Sequence, residues 1–264
     1  MKSLVRLFFV LLFTTSLYAQ HVTHDLGVFF GNTTIFTDYG QRGDFQSSLE
    51  GATGSFAVAH YMHFFNNNSR WNSSGAILTN LMVKTELNFY SANLEHQGKW
   101  AEGTSEGALQ LQAMKGSVSV VNIGMQLEYY FRDLGSFVAP FSRMKFNPFV
   151  TFGINYALYN NTLTSDLGDW QTDISVLPFK YRSPEALNIG SGGAMNYNVG
   201  AGTRFKLTKR IDLAAQMQIQ MYLTDEIDGL QPNVIENRNN DFVTILQVGV
   251  IYHLNFNQPL LRFF

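Results

Sequence analysis

The sequence predicts an all-β fold: a transmembrane antiparallel up-and-down β-barrel of about eight strands, preceded by an N-terminal signal peptide. Three observations carry this reading. The first twenty residues have the layout of an export signal. Beyond them, apolar and polar residues alternate with period two over segments long enough to cross a bilayer. Charges on those segments fall on one face only.

The start of the chain is a short basic stretch, Met1-Lys2-Ser3-Leu4-Val5-Arg6, followed by an apolar run over 7–13 and a small residue, Ala19, before Gln20. That is a cleavable secretory signal with the cut expected near Ala19. The apolar run falls short of the ~20 residues that a spanning helix needs. No later segment is continuously apolar for that length, so a helical membrane protein is excluded. The expected organisation is residues 1–19 as signal peptide, 20–254 as an outer-membrane β-barrel and 255–264 as a C-terminal periplasmic tail.

Composition supports a membrane barrel over a soluble one. Charged residues make up only 14% of the 264, aromatic residues another 14%, and the mean hydropathy is −0.05. Typical soluble domains carry about 25% charge. A near-zero mean arises when apolar and polar residues alternate instead of clustering. The formal net charge of −2 gives no electrostatic reason to expect nucleic acid as a partner. There is no cysteine, which excludes disulfides, thiolate metal sites and a lipoprotein anchor.

The strands read as follows. Leu26, Val28 and Phe30 alternate with Asp25 and Gly27. Residues 54–65 are apolar on both faces and form the least distinct strand. Leu81, Val83, Leu87 and Phe89 interleave with Lys84, Glu86 and Asn88. Val121, Ile123, Met125, Leu127 and Phe131 interleave with Asn122, Gln126 and Glu128. Val150, Phe152, Ile154, Tyr156 and Leu158 form the fifth, and Tyr197, Val199, Ala201, Phe205 and Leu207, against Arg204 and Lys206, the sixth. Leu213, Met217, Ile219 and Met221 oppose Asp212, Gln216, Gln218 and Gln220. The last strand sets Leu246, Val248, Val250, Tyr252 and Leu254 against Gln247, Gly249 and His253. Segments 116–131 and 193–208 exceed the roughly 9–11 residues a tilted barrel strand requires.

The six charges Lys84, Glu86, Glu128, Arg204, Lys206 and Asp212 all lie on the polar side. In a membrane barrel that side faces the lumen and the apolar side faces lipid. Aromatic girdles are expected from Phe64, Phe65, Tyr129 and Phe131 at one end and Phe89, Tyr156 and Tyr222 at the other. The outer connections would be 37–53, 92–115, 160–192 and 224–241, with a short helix over 104–115. The inner ones would be 66–80, 132–147 and the tight Lys209-Arg210 turn, two of them longer than usual. Eight strands leave both termini in the periplasm.

Gln247, Gly249, Tyr252 and Leu254 in the final strand resemble the C-terminal assembly signal of outer-membrane barrels, which implies the barrel-assembly machinery as a partner. The chain also resembles a family of uncharacterised outer-membrane barrels from Bacteroidota. The resemblance rests on His24-Asp25-Leu26-Gly27-Val28, Asp38-Tyr39-Gly40-Gln41-Arg42-Gly43-Asp44-Phe45, His96-Gln97-Gly98-Lys99-Trp100 and Gln126-Leu127-Glu128-Tyr129-Tyr130. It implies a Gram-negative outer membrane and a partnership with type IX secretion or barrel-assembly machinery, and no activity.

No catalytic, cofactor or metal site is expected. Among the histidines His21, His24, His60, His63, His96 and His253 there is no metal-ligand spacing, and His60 and His63 project from opposite faces of one strand. Ser55 near His60, with Glu86 or Glu128, would be the nearest approach to a hydrolytic set, and no motif selects it. Arg42-Gly43-Asp44 is ordinary turn chemistry; Gly98-Lys99-Trp100 lies in a mid-chain loop, and Asp166, Asp169 and Asp173 near Trp170, a weak calcium set at most, are expected to be a solvated loop. The leading expectation is a non-enzymatic structural or accessory subunit of an outer-membrane complex, in contact with lipid. The alternatives are a lipid-modifying outer-membrane enzyme, a narrow channel and a secreted soluble barrel.

Overall fold

The computed structural model describes residues 22–37, 39, 53–64, 80–96, 100–138, 142–231 and 241–254. The signal segment, the tail, the Arg42-Gly43-Asp44 string and Phe65 lie outside them. Eight antiparallel strands close in sequence order into one barrel. They are β1 (Val22–Phe36), β2 (Thr53–Phe64), β3 (Leu81–Glu95), β4 (Met114–Tyr130), β5 (Phe146–Ser165), β6 (Ser191–Lys206), β7 (Ile211–Tyr222) and β8 (Phe242–Leu254). An even-numbered, closed, antiparallel barrel is the architecture of outer-membrane proteins.

The register fixes the size of the barrel. A path of paired residues leaves β1 at Leu26 and runs through His60, Thr85, Met125, Ile154, Tyr197, Met221 and Phe242. It re-enters β1 at Phe36, ten residues beyond its start. For eight strands, that stagger implies a tilt of roughly 40–45° and a backbone radius of about 8 Å. All eight residues on the path point outward, so the alternation read from the sequence holds coherently around the wall.

Outside, the apolar rows are exposed: Ile123, Met125 and Leu127 on β4, Phe152 and Ile154 on β5, Leu246 and Val248 on β8. On β4 the band runs from Val121 to Phe131, about 34 Å along the strand and about 25 Å along the barrel axis, the height of an outer-membrane hydrocarbon core. Above it the outward residues become small and polar: Ser91 and Asn93 on β3, Ser117 and Ser119 on β4, Asn160 and Thr162 on β5. The strands continue past this boundary, over 90–95, 114–120 and 159–165, so a wall of three strands stands above the lipid.

Several expectations need correction. Tyr222 is not part of a girdle: its side chain is buried, and its hydroxyl bonds Tyr90 across the lumen. The β3–β4 and β5–β6 connections are shorter than expected because β3, β4 and β5 consume residues assigned to them. The loop helix is α1 (Glu106–Ala113), capped by Ser105, whose Oγ accepts from the Ala108 N–H at 3.3 Å. Met114 then starts β4 directly. The weakest predicted strand, β2, is regular, and its outward Phe56 and Val58 sit opposite small inward residues, Ala57 and Ala59. Small side chains there make room for the Tyr61 and Phe29 rings.

Of the proposed assembly-signal residues, Gln247 and Gly249 face the lumen, while Tyr252 and Leu254 lie on the outer wall. Gly249 has a packing reason of its own. A Cβ there would stand 2.4 Å from Phe29 Cδ1 and 2.5 Å from the Val28 carbonyl oxygen. Gly249→Val should therefore strain the β1–β8 seam by about 1–3 kcal/mol. The check is the temperature at which the folded band converts to the unfolded one on a heat-modifiability gel, which should fall. An unchanged temperature would show that the seam tolerates a side chain.

Candidate functional site

The lumen is filled in three layers, and each follows from which residue types the inward rows supply. At the end where β1 begins and β8 ends lies an ionic layer. Arg204 on β6 reaches Asp25 on β1 at 3.4 Å and Glu128 on β4 at 3.5 Å, and all three are fully buried. Lys84 on β3 pairs with Glu86 and lies 3.8 Å from Glu128. His253 on β8 places Nδ1 2.8 Å from Asp25 and Nε2 3.0 Å from Asp212. Lys84, Arg204 and His253 thus meet four carboxylates, those of Asp25, Glu86, Glu128 and Asp212. Aromatic rings shield the cations: Arg204 lies 4.2 Å from the Tyr61 centroid and 5.3 Å from that of Tyr130.

Above this comes an amide layer. Lys84 donates to Gln216 at 2.9 Å, Gln216 to Gln247 at 3.0 Å, and Gln247 to Ser55 at 3.2 Å. Asn122 donates to Gln220 at 2.7 Å, Asn155 to Asn196 at 2.7 Å, and Asn198 to Gln218 at 2.8 Å. Lys84–Gln216 (β3 to β7) and Asn122–Gln220 (β4 to β7) cross from wall to wall, while Gln216–Gln247, Asn155–Asn196 and Asn198–Gln218 join neighbouring strands, so the lumen is bridged as well as lined. Gly124 and Gly153 leave space for the amides; a Cβ on Gly124 would meet Asn155 Oδ1 at 1.7 Å.

The outermost layer is apolar: Val118, Val120, Ala157, Ala194, Val243 and Ile245, with Tyr90, Tyr159 and Tyr222. The loops close over it. Leu177 and Tyr181 from the β5–β6 connection and Ile227 and Leu230 from the β7–β8 connection are fully buried against it. Asn161 at the β5 rim holds both loops, accepting from Gly190 N at 2.8 Å and donating to the Glu226 and Ile227 carbonyls at 3.1 and 3.2 Å. A Leu187–Leu230 bridge ties the loops to each other. Arg182 and Gln110 anchor the same lid through the Ser175 carbonyl, each at 3.0 Å.

The end that carries the ionic layer has its own cap. The β4–β5 connection, long by the standard of inner turns, carries α2 (Leu134–Val138), whose Leu134 and Phe137 are buried under the barrel. Lys206 lies 5.2 Å from the Phe137 centroid and 3.4 Å from the Val138 carbonyl oxygen. This unusual inner length therefore has a structural purpose.

The structure separates the residues of the imagined hydrolytic set. Ser55 faces the lumen and accepts from Gln247, whereas His60 is on the outer face. Glu86 and Glu128 are taken up by the ionic layer. Asp166 pairs with Lys115 at 2.6 Å, while Asp169 and Asp173 each accept from a backbone N–H two residues on, so the three do not converge. Trp100 is 72% exposed. Two features escaped the sequence reading. One is the contact of His24 with His60 across strands. The other is a groove of about 810 Å³ on the outer wall, at the lipid boundary, between Phe56, Phe89 and Leu158 below and Ser91, Ser119 and Asn160 above.

Two predictions follow from the fillings. Arg204→Met leaves Asp25 and Glu128 buried without their shared cation, so the barrel should lose about 3–5 kcal/mol. Its heat-modifiability transition should drop sharply and that of Arg204→Lys less; equal transitions for wild type and Arg204→Met would refute this account. The lid should respond to acid through His96, which stacks on Tyr39 at 4.7 Å. Burial, and then the nearby Lys180, push its pKa down to about 3. The folded lid thus holds neutral His96, so its stability is full above about pH 6.5 and declines as pH falls towards 3. Proteolysis of the 166–190 loop should quicken over that window, and His96→Phe should flatten the dependence.

No protein-family model matches the chain, and no curated protein matches it in sequence. Among solved structures it is similar to a major outer membrane protein from Thermus thermophilus, at 13% identity and a TM-score of 0.49 over 88% of this chain and 99% of that one. It is also similar to Ail, the attachment invasion locus protein of Yersinia pestis, at 9% identity and a TM-score of 0.41 over 88% and 99% of the two chains. The outer membrane protein OprG from Pseudomonas aeruginosa shows 11% identity and a TM-score of 0.41, over 89% and 98%.

Proposed function

We propose that the protein is a plugged, non-enzymatic outer-membrane barrel that serves as a structural or accessory subunit of an outer-membrane complex, acting through its outer surfaces. The observation that carries this reading is the bridged lumen. Side chains from opposite walls bond to each other through the ionic and amide layers, and both ends are covered, which argues against the channel alternative. What remains for contact is outside: the groove at the lipid boundary, the three-strand wall above it and the tied loops. The groove's lower lip is apolar and its upper lip carries hydroxyls and amides, a surface on which a second membrane protein can bury rings and still satisfy polar groups. The resemblance to Bacteroidota barrels directs the search for that protein to secretion and barrel-assembly machinery.

Purification in mild detergent should bring down a stoichiometric partner. Ser119→Trp, which fills the groove without touching the lumen, should release it while leaving the heat-modifiability transition in place. A protein that elutes alone from native membranes in every mild detergent overturns the accessory role. Discrete single-channel conductance in planar bilayers overturns the plugged lumen.

A further inference from the structure

His24 on β1 and His60 on β2 project from the same outer face. Their strands pair so that His24 sits opposite Met62 and His60 opposite Leu26, which makes the two histidines diagonal neighbours. Nδ1 of His24 lies 3.0 Å from Nε2 of His60, with ring centroids 5.2 Å apart and planes 11° apart. Each ring nitrogen is about 1.1 Å from its own centroid, so an in-line, coplanar contact would put the centroids about 5.2 Å apart. The contact is thus head-on: one imidazole N–H donates to the lone pair of the other.

The position of this pair is unusual. Its neighbours on the two strands are Leu26, Val28, Phe30, Phe56, Val58 and Met62, the lipid-facing rows. Ionisable side chains in such a band are costly and point to function. His24 lies two residues from the periplasmic start of β1, so the pair borders the inner headgroup region and is open to ions from the periplasm.

We propose that His24 and His60 form a two-imidazole binding site for a divalent transition metal, Cu(II) above others, on the outer wall at its periplasmic border. Two nitrogens 3.0 Å apart, each ~2.0–2.1 Å from a shared ion, subtend about 95° at the metal. That lies near the cis angle of tetragonal Cu(II) coordination. Cu(II) also stands highest in the divalent affinity order for nitrogen ligands. To bind, each ring pivots by about 45°, and the donor ring shifts its proton to its other nitrogen. Both ligands stay neutral, and the hydrogen bond between them is exchanged for two metal–nitrogen bonds. Among the described residues no group of three or more His, Cys, Asp or Glu forms a complete cage. The pair therefore supplies two ligands, and water or a lipid phosphate completes the sphere.

The test uses the full mature protein, folded in an uncharged detergent and titrated with a Cu(II) salt, with Zn(II) and Mg(II) as comparators. Isothermal titration should give one Cu(II) per barrel, bound more tightly than Zn(II), and electron paramagnetic resonance should show two equatorial nitrogens. Cu(II) should also raise the heat-modifiability transition. His24→Gln and His60→Gln should each weaken binding at least tenfold and abolish the rise. Both side chains lie outside the barrel, so the variants should remain folded, which the unheated gel band verifies directly. His21→Gln, three positions before His24 in the sequence, should leave affinity unchanged. Binding that survives both pair substitutions, or that is lost in His21→Gln alone, overturns the proposal.

Discussion

In hydrocarbon no water is available to satisfy a strand's N–H and C=O groups, so every strand must find two partners and the sheet must close on itself. Here closure is made by the β1–β8 seam, thirteen paired residues long from His24–Leu254 to Phe36–Phe242. The stagger at which that seam closes fixes tilt and radius together, and the radius determines what the interior can be. At about 8 Å the lumen is as wide as the side chains that enter it. The inward rows therefore meet and must be compatible with the opposite wall. Gly249, Gly31 and Gly27 at the seam are small because the neighbouring strand and the Phe29 ring come too close for anything larger.

From that confinement the layered lumen follows. A buried charge is tolerated only when paired and hydrogen-bonded. The ionic layer pairs its charges by drawing members from six strands, β1, β3, β4, β6, β7 and β8; Lys84–Glu86 lies within one strand and the other pairs link different strands. The amide layer above it is chemically adaptable, since each Gln or Asn both donates and accepts, which suits a lumen where partners come from opposite walls. Towards the outer end the demand reverses. There the strands rise out of the lipid and the loops fold inward, so the interior becomes an ordinary apolar core roofed by Leu177, Tyr181, Ile227 and Leu230. The lower end repeats this on a smaller scale with Leu134 and Phe137.

A barrel so filled commits its interior to stability and leaves its exterior for contact. The outer wall is not uniform. It carries a groove at one border of the lipid band and a pair of facing imidazoles at the other. Both break the monotony of an apolar surface, and both sit where the membrane environment changes from hydrocarbon to polar.

By itself, the sequence determined the class of the fold and the facing of nearly every strand residue. Period-two alternation is a local property, and a one-residue slip would have moved Lys84, Glu86, Arg204 and Asp212 into lipid. It also named the charges of the lumen, because their side of the strand is read from their neighbours. What it could not contain is any relation that depends on register and curvature. Tyr222 read as a girdle ring because it is an aromatic at a strand end, although it shares the inward parity of Gln216, Gln218 and Gln220. Asn161 read as loop, because nothing within 160–192 reveals that the strand continues to carry it inward between two loops. His24 and His60 are 36 residues apart, and only the pairing of β1 with β2 makes them neighbours. Tertiary structure decided these matters, because hydrogen-bond register between strands, not order along the chain, sets which side chains meet.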